Sequence, residues 1–208
     1  MKKKDNKKNK KAVQANSDDY KVYYDWGKAL SYWALCNEPG KERDDLFNKA
    51  FEKYEKAAQI SPGDFSVNYA WENALTRFVK NQTGKEADDL CNKAFEKYIK
   101  AAPIEFVIYV CYSLGGVLIE LAKTKTGKEA EDILMQGVEK YQNAVDLGGQ
   151  CYGLACALAL LKNKEKALFY LEKCLEQQEK KIDSVLKDED WTYYLKDEDF
   201  LNIIERYK

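Results

Sequence analysis

Histidine is absent from this 208-residue chain, and proline occurs three times, at Pro39, Pro62 and Pro103. Without an imidazole, no side chain has an unperturbed pKa suited to proton transfer near neutral pH. Ser-His-Asp triads, Cys-His dyads and histidine metal ligands are therefore excluded. An enzyme with this composition would need carboxylates, lysine or tyrosine. The scarcity of proline favours a helical chain.

The six cysteines form no Cys-x-x-C pair and no spacing typical of zinc or haem binding. They are Cys36, Cys91, Cys111, Cys151, Cys156 and Cys174. Each lies in an apolar stretch, so we expect buried free thiols, which fit a reducing compartment. The sequence therefore predicts no metal, no cofactor and a cytoplasmic location.

Positive charge is concentrated at the N-terminus. Residues 1–11 carry seven lysines and one aspartate, whereas the whole chain has a formal charge of −1. The remainder is therefore acidic. The polar residues that follow do not resemble a signal peptide. We expect a solvated, disordered lysine-rich tail over residues 1–17, and we favour this interpretation over a nucleic-acid contact.

The sequence has no apolar run that predicts a membrane-spanning helix. The longest uncharged runs, Phe106 to Ile119 and Leu147 to Leu161, have 14 and 15 residues. A spanning helix needs roughly 20. We therefore expect these two runs to form central core helices, without membrane insertion.

Three segments repeat at intervals of 44 and 43 residues. Each contains Glu-Lys-Tyr and ends in two small or aliphatic residues. The ranges are Lys49 to Ala58, Lys93 to Ala102 and Gln136 to Val145. Gly-Lys-Glu and further acidic residues precede each segment. Because a glycine followed by carboxylates is typical of a turn and a helix N-terminus, helices are predicted to start near Glu42, Glu86 and Glu129.

A second helical pattern precedes each Gly-Lys-Glu segment and occurs a fourth time. Its copies begin at Tyr24, Tyr69, Tyr112 and Tyr152. Gly27, Gly115 and Ala155 occupy a position where a neighbouring helix must approach closely. Glu72 stands there in the second copy, whose packing is therefore the hardest to predict. The unit is an antiparallel helix pair, and such pairs stack into a solenoid.

This pattern resembles the tetratricopeptide repeat over roughly residues 20–178. In the fourth copy, Ala155 and Ala167 are 12 residues apart, as in the 34-residue family pattern, and Leu171 and Cys174 follow. The corresponding interval is 22 or 23 residues in the other copies, which is similar to long-helix members of the family. The resemblance implies an all-α, right-handed solenoid of four helix pairs, at about 18–60, 64–102, 104–146 and 149–178.

The C-terminal residues have a different pattern, in which Lys-Asp-Glu-Asp occurs before Trp191 and again before Phe200. The loop spacing and glycine of an EF-hand are absent, so helix capping is favoured over calcium binding. The segment resembles those that close bacterial tetratricopeptide arrays, which implies a helical cap over 179–208.

The resemblance implies a concave groove, lined by the first helix of each pair, that binds a peptide or a helix of another protein. The family register places nine expected contact residues there: Tyr24, Lys28, Tyr32, Tyr69, Asn73, Arg77, Tyr112, Glu120 and Tyr152. Gly116, Cys156 and Leu160 complete the register. The basic and amide side chains suit a carboxylate or backbone carbonyls. For the tyrosines, ligand contact and packing between helices are both open interpretations.

The tail of Hsp70 or Hsp90 is a disfavoured ligand. The positions that hold its carboxylate in chaperone-binding members of the family are occupied here by Tyr24, Lys28, Ala70, Tyr109 and Ser113. A single one of these is basic and none is asparagine. The protein or peptide partner is therefore unidentified.

The sequence thus predicts a non-catalytic scaffold or adaptor. The alternative is a self-assembling structural component. A remote alternative is an enzyme that pairs Glu72 or Glu120 with Tyr69 or Tyr112. No nucleophile, phosphate loop or metal set accompanies those residues.

Overall fold

The computed structural model of the chain describes residues 19–80 and 85–208, and within these ranges the protein is all-α with no β-strand. This confirms the all-α part of the predicted fold class. The lysine-rich segment at 1–17 lies outside the described residues. The chain divides into two compact units, Met1–Val107 and Ile108–Lys208.

The described residues form ten α-helices and one 3₁₀-helix. They are α1 (Tyr20–Leu35), α2 (Lys41–Ile60), α3 (Phe65–Lys80), α4 (Lys85–Ala101), α5 (Ile104–Lys123), α6 (Gly127–Asp146), α7 (Tyr152–Leu160), α8 (Lys164–Glu176), α9 (Ile182–Val185), the 3₁₀-helix (Glu189–Tyr194) and α10 (Glu198–Arg206). The helices predicted near Glu42, Glu86 and Glu129 begin one or two residues earlier than those positions, so that prediction is confirmed. Each of the four expected ranges contains two helices.

A glycine of α1 allows the close approach of α2 in the first unit. A Cβ atom added to Gly27 would lie 2.8 Å from Cε1 of Tyr54, a ring that is 1% exposed. The hydroxyl of Tyr54 lies 3.3 Å from Oγ of Ser31, which donates to the carbonyl of Gly27 at 2.9 Å. Tyr54 therefore fills the gap that Gly27 leaves, and the close approach of a neighbouring helix predicted at this position is confirmed.

The second helix pair, α3 and α4, meets without a glycine. Trp71 packs edge-to-face on Tyr98, with ring centroids 5.1 Å apart, and both rings are fully buried. Glu72 is 5% exposed, and its Oε1 accepts a hydrogen bond from Oγ1 of Thr76 at 3.0 Å. A tryptophan beside the glutamate thus provides the packing that a small residue provides in the first pair.

The same glycine-to-tyrosine contact recurs in the second unit. A Cβ atom at Gly115 of α5 would lie 2.9 Å from the ring of Tyr141 on α6, and Gly153 of α7 lies against the same ring. Tyr112 packs edge-to-face on it at 5.0 Å. The nine-residue helix α7 is buried over Tyr152 to Ala159, in agreement with the core helix predicted for this uncharged run.

The C-terminal segment packs against α7 and α8. Trp191 and Phe200 are 0% exposed, and their rings stack at 5.4 Å. At the N-terminal end of α7, Oε2 of Glu179 accepts hydrogen bonds from the backbone nitrogens of Cys151 and Tyr152, at 2.9 and 3.2 Å. These bonds satisfy donors that the helix N-terminus leaves unpaired.

Among the described residues, α5 is the one helix that is long and apolar enough to cross a membrane, by length and composition alone. Core helices of water-soluble proteins share these properties. In this structure, α5 packs against Tyr141 through Tyr112 and Gly115. The absence of membrane insertion stays a prediction.

All six cysteines lie in the described residues, and none forms a disulfide bond. Five are buried as predicted, whereas Cys36 is exposed, so the prediction is wrong for this residue. Cys36 is the C-terminal cap of α1, where the helix gives way to a loop. An apolar sequence neighbourhood therefore does not ensure burial at a helix end.

Candidate binding surfaces and the C-terminal polar cluster

Three of the expected contact residues form a row on α1. Tyr24, Lys28 and Tyr32 are spaced four residues apart and so share one face of the helix. Tyr24 is half-buried, and the ammonium of Lys28 lies 4.9 Å from the centre of its ring. Tyr32 is 73% exposed. The row offers aromatic surface beside a positive charge.

A second row lies on α3 and consists of Tyr69, Asn73 and Arg77. Tyr69 is 48% exposed, and its ring stacks on Phe65 with centroids 5.7 Å apart. The amide nitrogen of Asn73 donates to the carbonyl of Tyr69 at 3.0 Å. Arg77 is exposed. Like the first row, this one has an exposed aromatic ring with a cation one or two turns away.

The two rows lie on neighbouring helices of the first unit. Helices α1 and α3 contact each other. A hydrogen bond between the Tyr20 hydroxyl and the carboxylate of Asp64 raises the pKa of Tyr20 and joins the two N-terminal ends. Short loops connect α1 and α3 to α2, and both helices are antiparallel to it. Helices α1 and α3 therefore run in the same direction. The rows therefore follow each other in parallel.

The expected contact residues of the second unit are less open. Tyr112 is half-buried, and burial raises its pKa. Glu120 is exposed and accepts a hydrogen bond from Nζ of Lys123 at 2.9 Å. Tyr152 is 8% exposed, and its hydroxyl donates to Oδ2 of Asp188 at 2.8 Å.

The position of Tyr152 differs from the expectation that it faces an open groove. The C-terminal segment covers it, because α7 is buried on every side and the 3₁₀-helix packs against it. The buried hydroxyl of Tyr152 needs a hydrogen-bond partner, which Asp188 supplies. Cys156, one turn further along α7, is covered as well, at 6% exposure.

A polar cluster forms where this segment meets α7 and α5. Oδ1 of Asp188 accepts from the backbone nitrogen of Asp190 at 3.1 Å, and its Oδ2 lies 3.9 Å from Sγ of Cys156. Oδ1 of Asp190 lies 2.8 Å from Nζ of Lys123. Asp188 is the N-cap of the 3₁₀-helix, so the capping role predicted for the acidic motif is confirmed.

The second Lys-Asp-Glu-Asp motif has the same arrangement. Oδ1 of Asp197 accepts from the backbone nitrogens of Asp199 and Phe200, at 3.1 and 3.2 Å. Nζ of Lys164 lies 2.6 Å from Oδ2 of Asp197 and 2.7 Å from Oδ2 of Asp199. In both copies the first aspartate caps a helix and bonds a side chain, the last aspartate pairs with a lysine, and the next aromatic residue is buried.

Electrostatics keep the thiol and the phenol of the polar cluster protonated at neutral pH. Burial raises the pKa of Cys156, and the carboxylates of Asp188 and Asp190 raise it further. Burial likewise raises the pKa of Tyr152, with added contributions from Cys156 and Asp188. Burial disfavours the charge of Lys123, but its hydrogen bonds to two carboxylates outweigh this effect and raise its pKa. The cluster therefore offers no activated nucleophile.

One sulfur and two carboxylates of the polar cluster are close enough to hold a cation. The candidate ligand atoms of Cys156, Asp188 and Asp190 lie within 4.8 Å of one another. Lys123 already balances the charge of Asp190, and Asp188 accepts from Tyr152. The cluster thus joins the C-terminal segment to α7 and α5. The repeated acidic motif was the one sequence signal that could have revealed it.

No protein-family model matches this chain, and no curated protein sequence is significantly similar to it. The class that the structure defines is an all-α protein of successive helices. The function must be argued from the surfaces described above.

Proposed function

We propose that the protein is a non-catalytic scaffold or adaptor with a tetratricopeptide-like solenoid fold, which binds a peptide or a helix of a partner protein on α1 and α3. The observation that carries the proposal is the pair of parallel rows on these helices. Tyr32 and Tyr69 are 73% and 48% exposed, next to Lys28 and Arg77.

The composition of the rows indicates the chemistry of the partner. Exposed tyrosine rings provide apolar contact area at a small cost in side-chain entropy, together with a hydroxyl for hydrogen bonding. Lysine and arginine bind carboxylates, and arginine can do so with two parallel hydrogen bonds. The partner segment therefore carries acidic residues among apolar ones. We also propose that binding occurs in the cytoplasm, where free thiols persist.

The non-catalytic part of the proposal is supported by the titratable groups of the second unit. Burial raises the pKa of Cys156 and that of Tyr152, which disfavours their reactive anionic forms. Glu72, one of the two carboxylates that the enzyme alternative could use, is 5% exposed and accepts a hydrogen bond from Thr76. Such a carboxylate is not accessible to a substrate.

A displayed peptide library tests the proposal. Peptides selected on the full chain should bind the wild type, and the Tyr69→Ala, Arg77→Ala double variant should bind them at least tenfold more weakly, on the order of the loss of one interface hot spot. A matched control, Lys166→Ala with Phe169→Ala, changes exposed residues of α8 and should bind like the wild type. Fluorescence anisotropy measures the affinity.

Two results would contradict the proposal. One is equal affinity of the wild type and the double variant for every selected peptide. The other is a marked loss of thermal stability in the double variant, which would place Tyr69 and Arg77 in the packing of the first unit.

A further inference from the structure

A different face of α1 carries an apolar stripe. Val22, Trp26 and Trp33 follow the spacing i, i+4, i+11 and so lie along one side of the helix, away from the row of Tyr24, Lys28 and Tyr32. Their side chains are 44%, 51% and 58% exposed. We call these three residues the tryptophan stripe.

Lysines of α2 border the tryptophan stripe. The ammonium of Lys53 lies 4.1 Å from the centre of the Trp26 ring, and that of Lys56 lies 5.6 Å from the ring of Tyr23. Lys49 is on the same face of α2 by its spacing from Lys53. Glu42 and Asp45 share this face nearer the beginning of α2, by their spacing from Lys49, so the positive charge is concentrated next to Trp26.

The sequence has more positive charge before α1. Residues 1–11 contain seven lysines, and Lys11 precedes Asp19, the N-cap of α1, by eight residues. The rest of the chain is acidic, since the overall charge is −1. Positive charge is therefore concentrated at the N-terminal end of the sequence.

We propose that the tryptophan stripe docks on the surface of an anionic lipid bilayer. Tryptophan favours the headgroup region, because its ring is apolar and its N–H is polar. Polybasic segments are attracted to anionic leaflets. Stable peripheral binding needs two such signals together, and this end of the chain has both. No helix crosses the bilayer in this arrangement.

The charge distribution favours a bilayer over the other possible occupants. A run of seven lysines within eleven residues, with one apolar residue, Met1, provides attraction without a specific contact. A protein partner would need specific contacts along this run, whereas a lipid surface does not. Nucleic acid would be attracted by the lysines but would not bury an apolar stripe that includes Val22. Docking here leaves the rows of the proposed function open to a protein partner.

Flotation of the full chain with lipid vesicles tests this proposal. We expect binding to vesicles of phosphatidylcholine with phosphatidylserine, weak binding to phosphatidylcholine alone, and release by salt. Trp26→Ser with Trp33→Ser should weaken binding at least tenfold, on the order expected for two buried aromatic side chains. Replacing Lys49, Lys53 and Lys56 with glutamine should weaken it by roughly fivefold per charge.

Exposed aromatic residues of the second unit provide the matched control. Phe169 and Tyr193 are 63% and 69% exposed, and Phe169→Ser with Tyr193→Ser should bind vesicles like the wild type. Tryptophan emission should shift to the blue on binding and should be quenched by brominated lipid. Neither effect should occur in the Trp26→Phe, Trp33→Phe variant, which retains the buried Trp71 and Trp191.

The proposal would be overturned by any of three results. The first is no binding to anionic vesicles. The second is unchanged vesicle binding after both tryptophans are replaced, with urea unfolding like that of the wild type. The third is that RNA or a second copy of the chain covers the tryptophan stripe, as detected in sedimentation experiments. Failure of the peptide experiment with intact vesicle binding would refute the proposed function and not this inference.

Discussion

The tryptophans near the two ends of the described chain differ in their exposure to solvent. Trp26 and Trp33, on α1, are more than half exposed, whereas Trp191, near the C-terminus, is 0% exposed. Near the C-terminus, two acidic motifs fix a short segment over α7 and bury the aromatic residue that follows each motif. On α1, the tryptophans remain at the surface. An apolar face thus becomes core where the chain itself covers it, and stays exposed where it does not.

Replacing one tryptophan at each end should give the largest difference. Trp191→Ala removes a fully buried ring and should lower the free energy of unfolding by about 3–5 kcal/mol. Trp33→Ala should change it by no more than about 0.5 kcal/mol, because the side chain is mostly in water. Urea unfolding followed by circular dichroism measures both. Similar losses for the two variants would break the comparison.

The buried side of α1 can be tested by adding a methyl group. Gly27→Ala places a Cβ atom 2.8 Å from the ring of Tyr54, which is enclosed and cannot move freely. We expect a loss of about 1–3 kcal/mol, despite the higher helix propensity of alanine. Gly63→Ala, where no atom lies within 4 Å, is the control and should show no such loss. Equal stability of the two variants would contradict the close approach of α1 and α2.

The buried Tyr54 should make the first unit sensitive to alkali. Burial raises its pKa from about 10 to about 12. The folded state therefore holds the proton more tightly, so this contribution to stability is complete below pH 10 and is lost as the pH rises through 12. Its size is on the order of 3 kcal/mol. Denaturation midpoints between pH 10 and 12 should fall more steeply for the wild type than for Tyr54→Phe, and parallel curves would argue against burial of the hydroxyl.

The covering of α7 depends in part on Asp188. Asp188→Ala removes the cap of the 3₁₀-helix and the acceptor of the Tyr152 hydroxyl, and should cost about 1–2 kcal/mol. Tyr152→Phe removes the second interaction alone and should cost less. Glu189→Ala, at an exposed neighbour, is the control. If Asp188→Ala unfolds in urea like this control, the acidic motif does not hold the segment in place.

The smallest effect should be a gain in stability where α8 ends. Gln178 has a φ of 57°, a left-handed conformation that costs energy for any residue with a Cβ atom. Gln178→Gly should therefore stabilise the protein by about 0.5–1 kcal/mol in urea unfolding. Gln177→Gly is the matched control, because Gln177 is right-handed with a φ of −79° and should gain nothing. A loss at both positions would contradict this description of the helix end.

Local features of the fold could be read from the sequence because they depend on neighbouring residues. The glycines before acidic residues marked the starts of α2, α4 and α6, and the repeated small residue marked the close approach of a neighbouring helix at Gly27. The acidic motifs predicted helix caps, which Asp188 and Asp197 provide. Each of these depends on steric fit or on hydrogen bonds within a few turns of helix.

Features that join distant segments could not be predicted in this way. Asp188 meets Tyr152 across 36 residues, and no pattern in the sequence relates them. The repeat register treats Tyr152 like Tyr69, yet one is covered and the other is 48% exposed. Which aromatic positions remain open to a partner depends on where the C-terminal segment packs.

The sequence by itself determined an all-α chain, the beginnings of its paired helices and the residues that cap the C-terminal ones, because helix signals are local. Tertiary structure alone decided which of four equivalent tyrosines and four tryptophans face water. The physical reason is that burial depends on whichever segment covers a side chain, and that segment can be far away in the sequence.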